Sequence, residues 1–244
     1  MIKEIFSRNE LLVGQHAMEI IKQARVILFG LGGVGSWCAE SLIRSGIGHL
    51  TIVDSDCISA SNINRQLPAT VDTIGQSKVE VLKTRLLSIN PYSDILAIQT
   101  AYTAETNHLF CLDTHDYIVD AIDSLGHKAA LIINATNTSA TLFSSMGAAL
   151  KLDASRIRTA EFWKVQGCPM AAALRHQFKK NTMPAKQFFC VYSDEALANK
   201  GISCISSSVW DERKARINGA FVHITAIFGF TLAGLVIQDI IVKG

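Results

Sequence analysis

Four side chains suited to charge chemistry follow one another along the chain: Asp54, Arg65, Lys78 and Asp123. An acid at the end of a strand can hold a ribose hydroxyl. An Arg and a Lys can neutralise phosphates. A triphosphate needs such cations, whereas a dinucleotide pyrophosphate is satisfied by backbone N–H groups alone. A further carboxylate suits Mg²⁺, which takes one or two carboxylates together with phosphate oxygens. Each residue also has an ordinary reading: a surface Arg, a helix-face Lys, an N-cap Asp before Ser124. Together on one sheet edge they favour ATP with Mg²⁺ over NAD.

What must position them is a strand, a glycine turn and a helix. Arg25 to Phe29 is a short apolar run without helical period, hence a buried strand. Gly30, Gly32 and Gly35 then give G-x-G-x-x-G, and Ser36 to Leu42 continues with helical composition. In that context free backbone N–H groups and the positive end of a helix dipole face an anion. His49 to Asp54 is a second strand, ending in an acid about 20 residues after the last glycine, as a ribose contact requires.

The remaining chain extends the pattern. Residues 1–24 read as a lead-in ending in one short amphipathic helix, with Arg8 ahead of it. The first glycine-turn helix covers 33–46, and Gly46 suits its C-cap. Residues 55–74 are polar and irregular, and Pro68 argues against a helix there. Gln76 to Ser88 is a helix, 94–100 a third strand, 104–112 a short helix and Tyr117 to Asp123 a fourth strand. A helix from Ser124 and a strand at 140–144 complete an alternation that predicts an α/β, Rossmann-like, doubly wound and mainly parallel sheet. From Met146 the pattern changes to a C-terminal extension of mixed strands and helices. Arg156–Ala160 alternates like a half-exposed strand. Pro169 opens a helix that runs to about Lys180. Gln187 to Tyr192 is another strand, and 199–216 reads as an irregular loop over the nucleotide site.

Composition bounds the class. The chain has 244 residues, 49% of them hydrophobic and 18% charged, which excludes disorder. Six cysteines contain no C-x-x-C pair, so neither a zinc ribbon nor a redox pair is indicated. Scattered cysteines and an N-terminus without an apolar leader predict a cytoplasmic protein. The final apolar run, Gly219 to Ile241, is long enough for a bilayer. His223, Thr225, Gln238 and Asp239 interrupt it, so a core or dimer-interface helix is the expected role and membrane association the alternative. Net charge is +2, unevenly spread. Residues 151–186 hold eight Lys or Arg against Asp153 and Glu161, a balance of +6 that leaves −4 for the rest. A basic surface of that kind suits a polyanion such as RNA.

Several runs also carry a resemblance: GLGGVGSW at 30–37, VDSD at 53–56, SNINRQ at 61–66, GQSK at 75–78, INP at 89–91 and AIDS at 121–124. They resemble the ubiquitin-activating-enzyme-like, ThiF-type adenylating family, and within it the branch that dehydrates threonylcarbamoyladenosine in tRNA. The resemblance runs on through SSMGA at 144–148, CPMAAALR at 168–175, YSDEAL at 192–197 and FGF at 228–230. It implies a single adenylating domain over 1–244, with a nucleotide-binding half (1–145) and a tRNA-binding, dimer-facing half (146–244). It places Gly33 on the nucleotide and Asp54 on the ribose. Asn62, Arg65 and Lys78 fall on the phosphates, with Asp56 and Asn64 beside them, and Asp123 on Mg²⁺ and the reacting phosphate. Arg8 is the candidate for an Arg that crosses a homodimer to the partner's triphosphate. Relatives work beside cysteine desulfurase and sulfur-acceptor systems, so such a partner is implied too. The expected reaction is ATP-dependent cyclisation of the modified adenosine. The main alternative is adenylation of a sulfur-carrier or ubiquitin-like protein, against which the missing C-x-x-C pairs count. An NAD oxidoreductase and a nucleotide sensor are the more distant alternatives.

Overall fold

A computed structural model describes residues 4–201 and 218–244. Most of the irregular loop expected over 199–216 lies outside the described residues, as does Cys204. Seven strands form one sheet in the order β3-β2-β1-β4-β5-β7-β6. They are β1 (Arg25–Phe29), β2 (His49–Val53), β3 (Asp94–Ile98), β4 (Tyr117–Asp120), β5 (Thr141–Ser145), β6 (Ile157–Glu161) and β7 (Phe189–Ser193). All pair in parallel except β6, which closes one edge antiparallel to β7. The expected Rossmann-like α/β fold is present, and the C-terminal strands extend the same sheet.

Among the described residues seven α-helices flank it: α1 (Ser7–Val13), α2 (Gln15–Gln23), α3 (Gly35–Arg44), α4 (Lys78–Ile89), α5 (Leu125–Thr136), α6 (Pro169–Lys180) and α7 (Val222–Lys243). The period of two along β1 sorts its side chains between two cores. Val26 and Leu28 join Leu42, Leu82, Phe228 and Val236 beneath α3, α4 and α7. Ile27 and Phe29 join Leu131, Phe162 and Phe178 beneath α5 and α6. Buried Phe and Leu side chains each contribute about 1.5–3 kcal/mol from the area removed from water. The long apolar run becomes α7, whose Ile224, Phe228, Leu232, Val236 and Ile240 form a buried stripe at helical spacing. It is the core helix expected from the polar interruptions.

Four local expectations are corrected. The lead-in is two helices, because Gly14 takes φ +84 between them. Residues 104–112 give no α-helix but 3₁₀ turns at Asn107–Phe110 and Leu112–Thr114, broken by left-handed Cys111. β3 stops at Ile98. β4 stops at Asp120, so Asp123 sits in the connection to α5 and not in the strand. The chain leaves β1 toward β2 and β3 on one side, and β4 and β5 lie on the other. The C-terminal ends of β1 and β4 therefore bound the crevice at which ligands bind in open α/β sheets.

Candidate nucleotide site

The glycine turn sits at that crevice. Gly30 follows β1 with φ +86, and a Cβ there would lie 2.7 Å from the Ala121 carbonyl oxygen. A Cβ on Gly35 would lie 1.8 Å from the Gly30 carbonyl oxygen. Only glycine lets the chain turn this tightly from strand into helix while touching the end of β4. Ser36 fixes the turn by donating to the Gly32 carbonyl, 2.7 Å away. Gly33 lies beside Arg65 and Thr225: a Cβ on it would be 3.2 Å from Arg65 Cγ and 3.1 Å from Thr225.

Asp54, just past β2, braces the same turn. Its Oδ2 accepts the Leu31 N–H at 2.6 Å and its Oδ1 the Asp56 N–H at 2.9 Å. Lys78 opens α4 and is buried, although a cation at a helix N-terminus opposes the dipole. Two acids offset that conflict: Asp56 Oδ2 at 2.8 Å and Asp54 Oδ1 at 3.9 Å. Lys78 also donates its backbone N–H to the Asp56 carbonyl, which holds residues 54–56 against the start of α4.

Arg65 is half-buried across the glycine turn. Its Nη1 donates to the Ser61 carbonyl and to Asn64 Oδ1, both at 2.9 Å, while its own carbonyl accepts from Trp37 Nε1 at 3.1 Å. Asn64 in turn donates to the Ala220 carbonyl at 2.9 Å. Asn62 Oδ1 caps its own short turn by accepting the Ser59 N–H. Asp123 is exposed, with no hydrogen bond or ion pair among the described residues.

Gly30, Gly32, Gly33, Gly35, Asp54, Asp56, Lys78 and Arg65 are thus brought together, with Asp123 on the connection that touches Gly30. Asn62 and Asn64 stand near them, but their side-chain oxygens serve the local turn and Arg65. Arg8 does not join them. It is exposed on α1, whose preceding Phe6 packs near Gly46 beyond the C-terminal end of α3. α3 is ten residues long, so the glycine turn is about 15 Å away at its other end.

The site has a second layer that the sequence reading missed. At the two ends of the connection that carries Asp123, Asp120 and Lys128 form a fully buried ion pair at 2.5 Å, and Ser144 Oγ donates to the same Asp120 oxygen at 2.6 Å. A Lys immediately before the apolar run Ala129-Ala130-Leu131-Ile132, eight residues after a strand-terminal Asp, was the available signal.

The basic 151–186 region is less cationic at its surface than its balance of +6. Lys151 is buried on the Glu195 carbonyl. Arg156 pairs with Asp194 at 2.8 Å, and Arg158 approaches the same acid at 3.9 Å. Arg175 donates to the Val165 carbonyl at 2.8 Å, and Lys186 to those of Thr138 and Ala140. Lys164, Lys179 and Lys180 remain exposed and unpaired among the described residues.

Known proteins resemble this chain over most of its length. The model of the ThiF family matches residues 6–241. The tRNA threonylcarbamoyladenosine dehydratase of Bacillus subtilis is 35% identical, over 97% of this chain and 94% of the relative. That of Escherichia coli is 32% identical over 99% and 95%. The structure of the Escherichia coli enzyme, TcdA, in complex with ATP superposes with a TM-score of 0.87 at 30% identity, covering 99% of this chain and 95% of that one.

Proposed function

The chain belongs to the ThiF family, and from that premise we propose that it is an ATP-dependent tRNA threonylcarbamoyladenosine dehydratase. The observation that carries this is the end-to-end likeness to two such dehydratases and to one of them with ATP bound. The glycine turn, Asp54, Arg65 and Lys78 supply what a triphosphate needs at that place.

A carboxylate acylates poorly because oxide would have to leave. In the proposed reaction the threonyl carboxylate of the modified adenosine attacks the α-phosphorus of ATP, and pyrophosphate departs. A nucleophile within the same modification then attacks the activated carbonyl, a ring closes and AMP leaves, so the nucleoside has lost one water. Because that nucleophile is tethered, proximity supplies much of the acceleration and no enzyme cysteine is needed. Arg65 and Lys78 stabilise charge on the phosphates in the transition state, and the N–H groups of the glycine turn hold them in register. Asp54 orients the ribose.

Mg²⁺ fits this residue set. Among the described residues Asp123 is a lone, unpaired carboxylate, as expected for an ion carried in on phosphate oxygens rather than caged by protein. When bound, the ion neutralises phosphate charge.

The enzyme acts as a homodimer in this reading. Leu11 and Leu12 on α1 are 86% and 85% exposed, and a second copy covering α1 would bury them while carrying Arg8 to its triphosphate. The tRNA backbone runs along Lys164, Lys179 and Lys180, the location is cytoplasmic, and a cysteine desulfurase or sulfur-acceptor system is the accompanying partner.

The test is incubation with ATP, Mg²⁺ and tRNA carrying threonylcarbamoyladenosine, followed by nucleoside mass spectrometry. The modified nucleoside should lose the mass of one water as AMP forms. AMP formation with a sulfur-carrier protein and none with tRNA would instead establish the adenylyltransferase alternative.

A further inference from the structure

Lys128 and Asp120 are the one ion pair in the described chain in which both side chains are wholly inaccessible. Burying two charges is costly, and well-packed apolar residues of similar size commonly serve stability as well or better. Stability alone is therefore a poor reason for the pair, and its connections suggest another. Asp120 ends β4, and Lys128 lies in the first turns of α5, where its N–H bonds the Ser124 carbonyl. Between them run Ala121, Ile122, Asp123 and Ser124, the whole connection that carries Asp123.

Both ends and the middle of this connection are held. Asp120 Oδ2 takes the Lys128 ammonium at 2.5 Å and the Ser144 hydroxyl at 2.6 Å. Asp120 Oδ1 accepts the Ile122 N–H at 3.0 Å, which folds the chain back immediately before Asp123. Ala121 donates its N–H to the Phe29 carbonyl at 2.8 Å, and its own carbonyl lies against Gly30. The pair thus joins the start of α5 to the end of β4 across a four-residue connection that is registered on the glycine turn.

We propose that Asp120, Lys128 and Ser144 are positioning residues that clamp the 121–124 connection, so that Asp123 is presented to the nucleotide phosphates at a fixed distance from the glycine turn. The proposal rests on the nucleotide-site reading above and gives an otherwise unexplained buried ion pair a task in it. None of the three side chains touches the substrate.

The experiment compares wild type with Asp120→Leu/Lys128→Met, which removes both charges and fills the space, and with Ser144→Ala, which removes a single donor. Three quantities are read: melting temperature, hydrogen exchange at the Ile122 amide against that of β1 amides, and kcat and KM for ATP. The double variant should melt within a few degrees of wild type and lose amide protection at Ile122 but not in β1. Its kcat should fall about 10²-fold, the scale of an ångström-sized misplacement, with KM for ATP moved less than about threefold. Ser144→Ala should lower kcat by about three- to tenfold on the same pattern and keeps the test decisive should the double variant fail to fold. Wild-type kcat in the double variant, or in Ser144→Ala if that alone folds, would overturn the clamp, as would unchanged exchange at Ile122. Wild-type protein inert toward the modified tRNA would instead sink the functional reading, and the exchange result would still judge the clamp.

Discussion

Replacing Lys78 by Ala tests the electrostatic account of the site most directly. Lys78 is nearly buried, and the acids at 2.8 and 3.9 Å leave the trio with a formal charge of −1, from one cation and two carboxylates. Deleting the amine takes the trio to −2 where four further negative charges of ATP must approach. A unit pair at 4 Å is worth about 4 kcal/mol at an effective dielectric near 20. Asp56 is 64% exposed, so water screens the trio and about half that figure is appropriate for the lost attraction. The newly uncompensated acids add a repulsion of similar or smaller size. The sum, about 3–4 kcal/mol, predicts a fall of about 10²- to 10³-fold in kcat/KM for ATP. Melting should drop only a few degrees, because the strongest partner is a solvated surface acid. Adding Asp56→Asn should return about tenfold by removing one of the acids. The assay is AMP release at varied ATP with saturating modified tRNA. A single variant within threefold of wild type, or a double variant no better than the single, would refute the reasoning.

Arg8→Ala and Asp123→Ala proteins, each inactive, should regain part of their activity when subunits are mixed, since one composite site per heterodimer is whole. Dead mixtures with demonstrated subunit exchange would remove Arg8 from the site. Lys179→Glu with Lys180→Glu should weaken binding of all substrate tRNAs and flatten the log–log salt dependence by about one unit per lost phosphate contact, which filter binding at several salt concentrations checks. Arg175→Glu, by contrast, should act through folding, because Arg175 is spent on the carbonyls of Phe162 and Val165. Burial works to raise the pKa of Glu40, but hydrogen bonds and charge from Arg85 and Arg44 outweigh it and hold the carboxyl below 4.5. A depressed folded-state value means stability present above the unfolded pKa and lost as pH falls through the folded one. Glu40→Gln should therefore melt lower at neutral pH and show a flatter decline of Tm below about pH 4.5 than wild type, measured by circular dichroism.

The sheet was legible because a parallel strand buried on both faces leaves a short apolar run, and β1, β2 and β4 each do so between turn signals. The glycine turn was legible because close approach of backbone to backbone leaves no residue choice. What escaped depends on events between residues far apart in sequence. Nothing local marks Gly14 as a break, since glycine is tolerated inside helices at modest cost. The +6 balance of 151–186 could be counted, but its carbonyl and acid partners lie at 138–140, 162–165 and 194–195, so only the fold reveals which cations are spent. Asp120 was passed over for Asp123 because both follow an apolar run. The choice between a buried brace and an exposed ligand is made by Lys128 and Ser144, which the sheet and α5 bring to it.

The cations beside the glycine turn also have partners of their own. An uncompensated Arg and Lys beside a helix N-terminus would repel each other and the dipole. Here each has a weak internal partner: Arg65 rests on a carbonyl and the Asn64 amide, Lys78 on a solvated acid. In the proposed reading a triphosphate offers more total charge than either partner, so binding would exchange partners for both cations. The fully buried pair beneath behaves oppositely. Asp120 and Lys128 satisfy each other where neither water nor ligand reaches, and so the groups that must let go of their partners are layered over groups that must not.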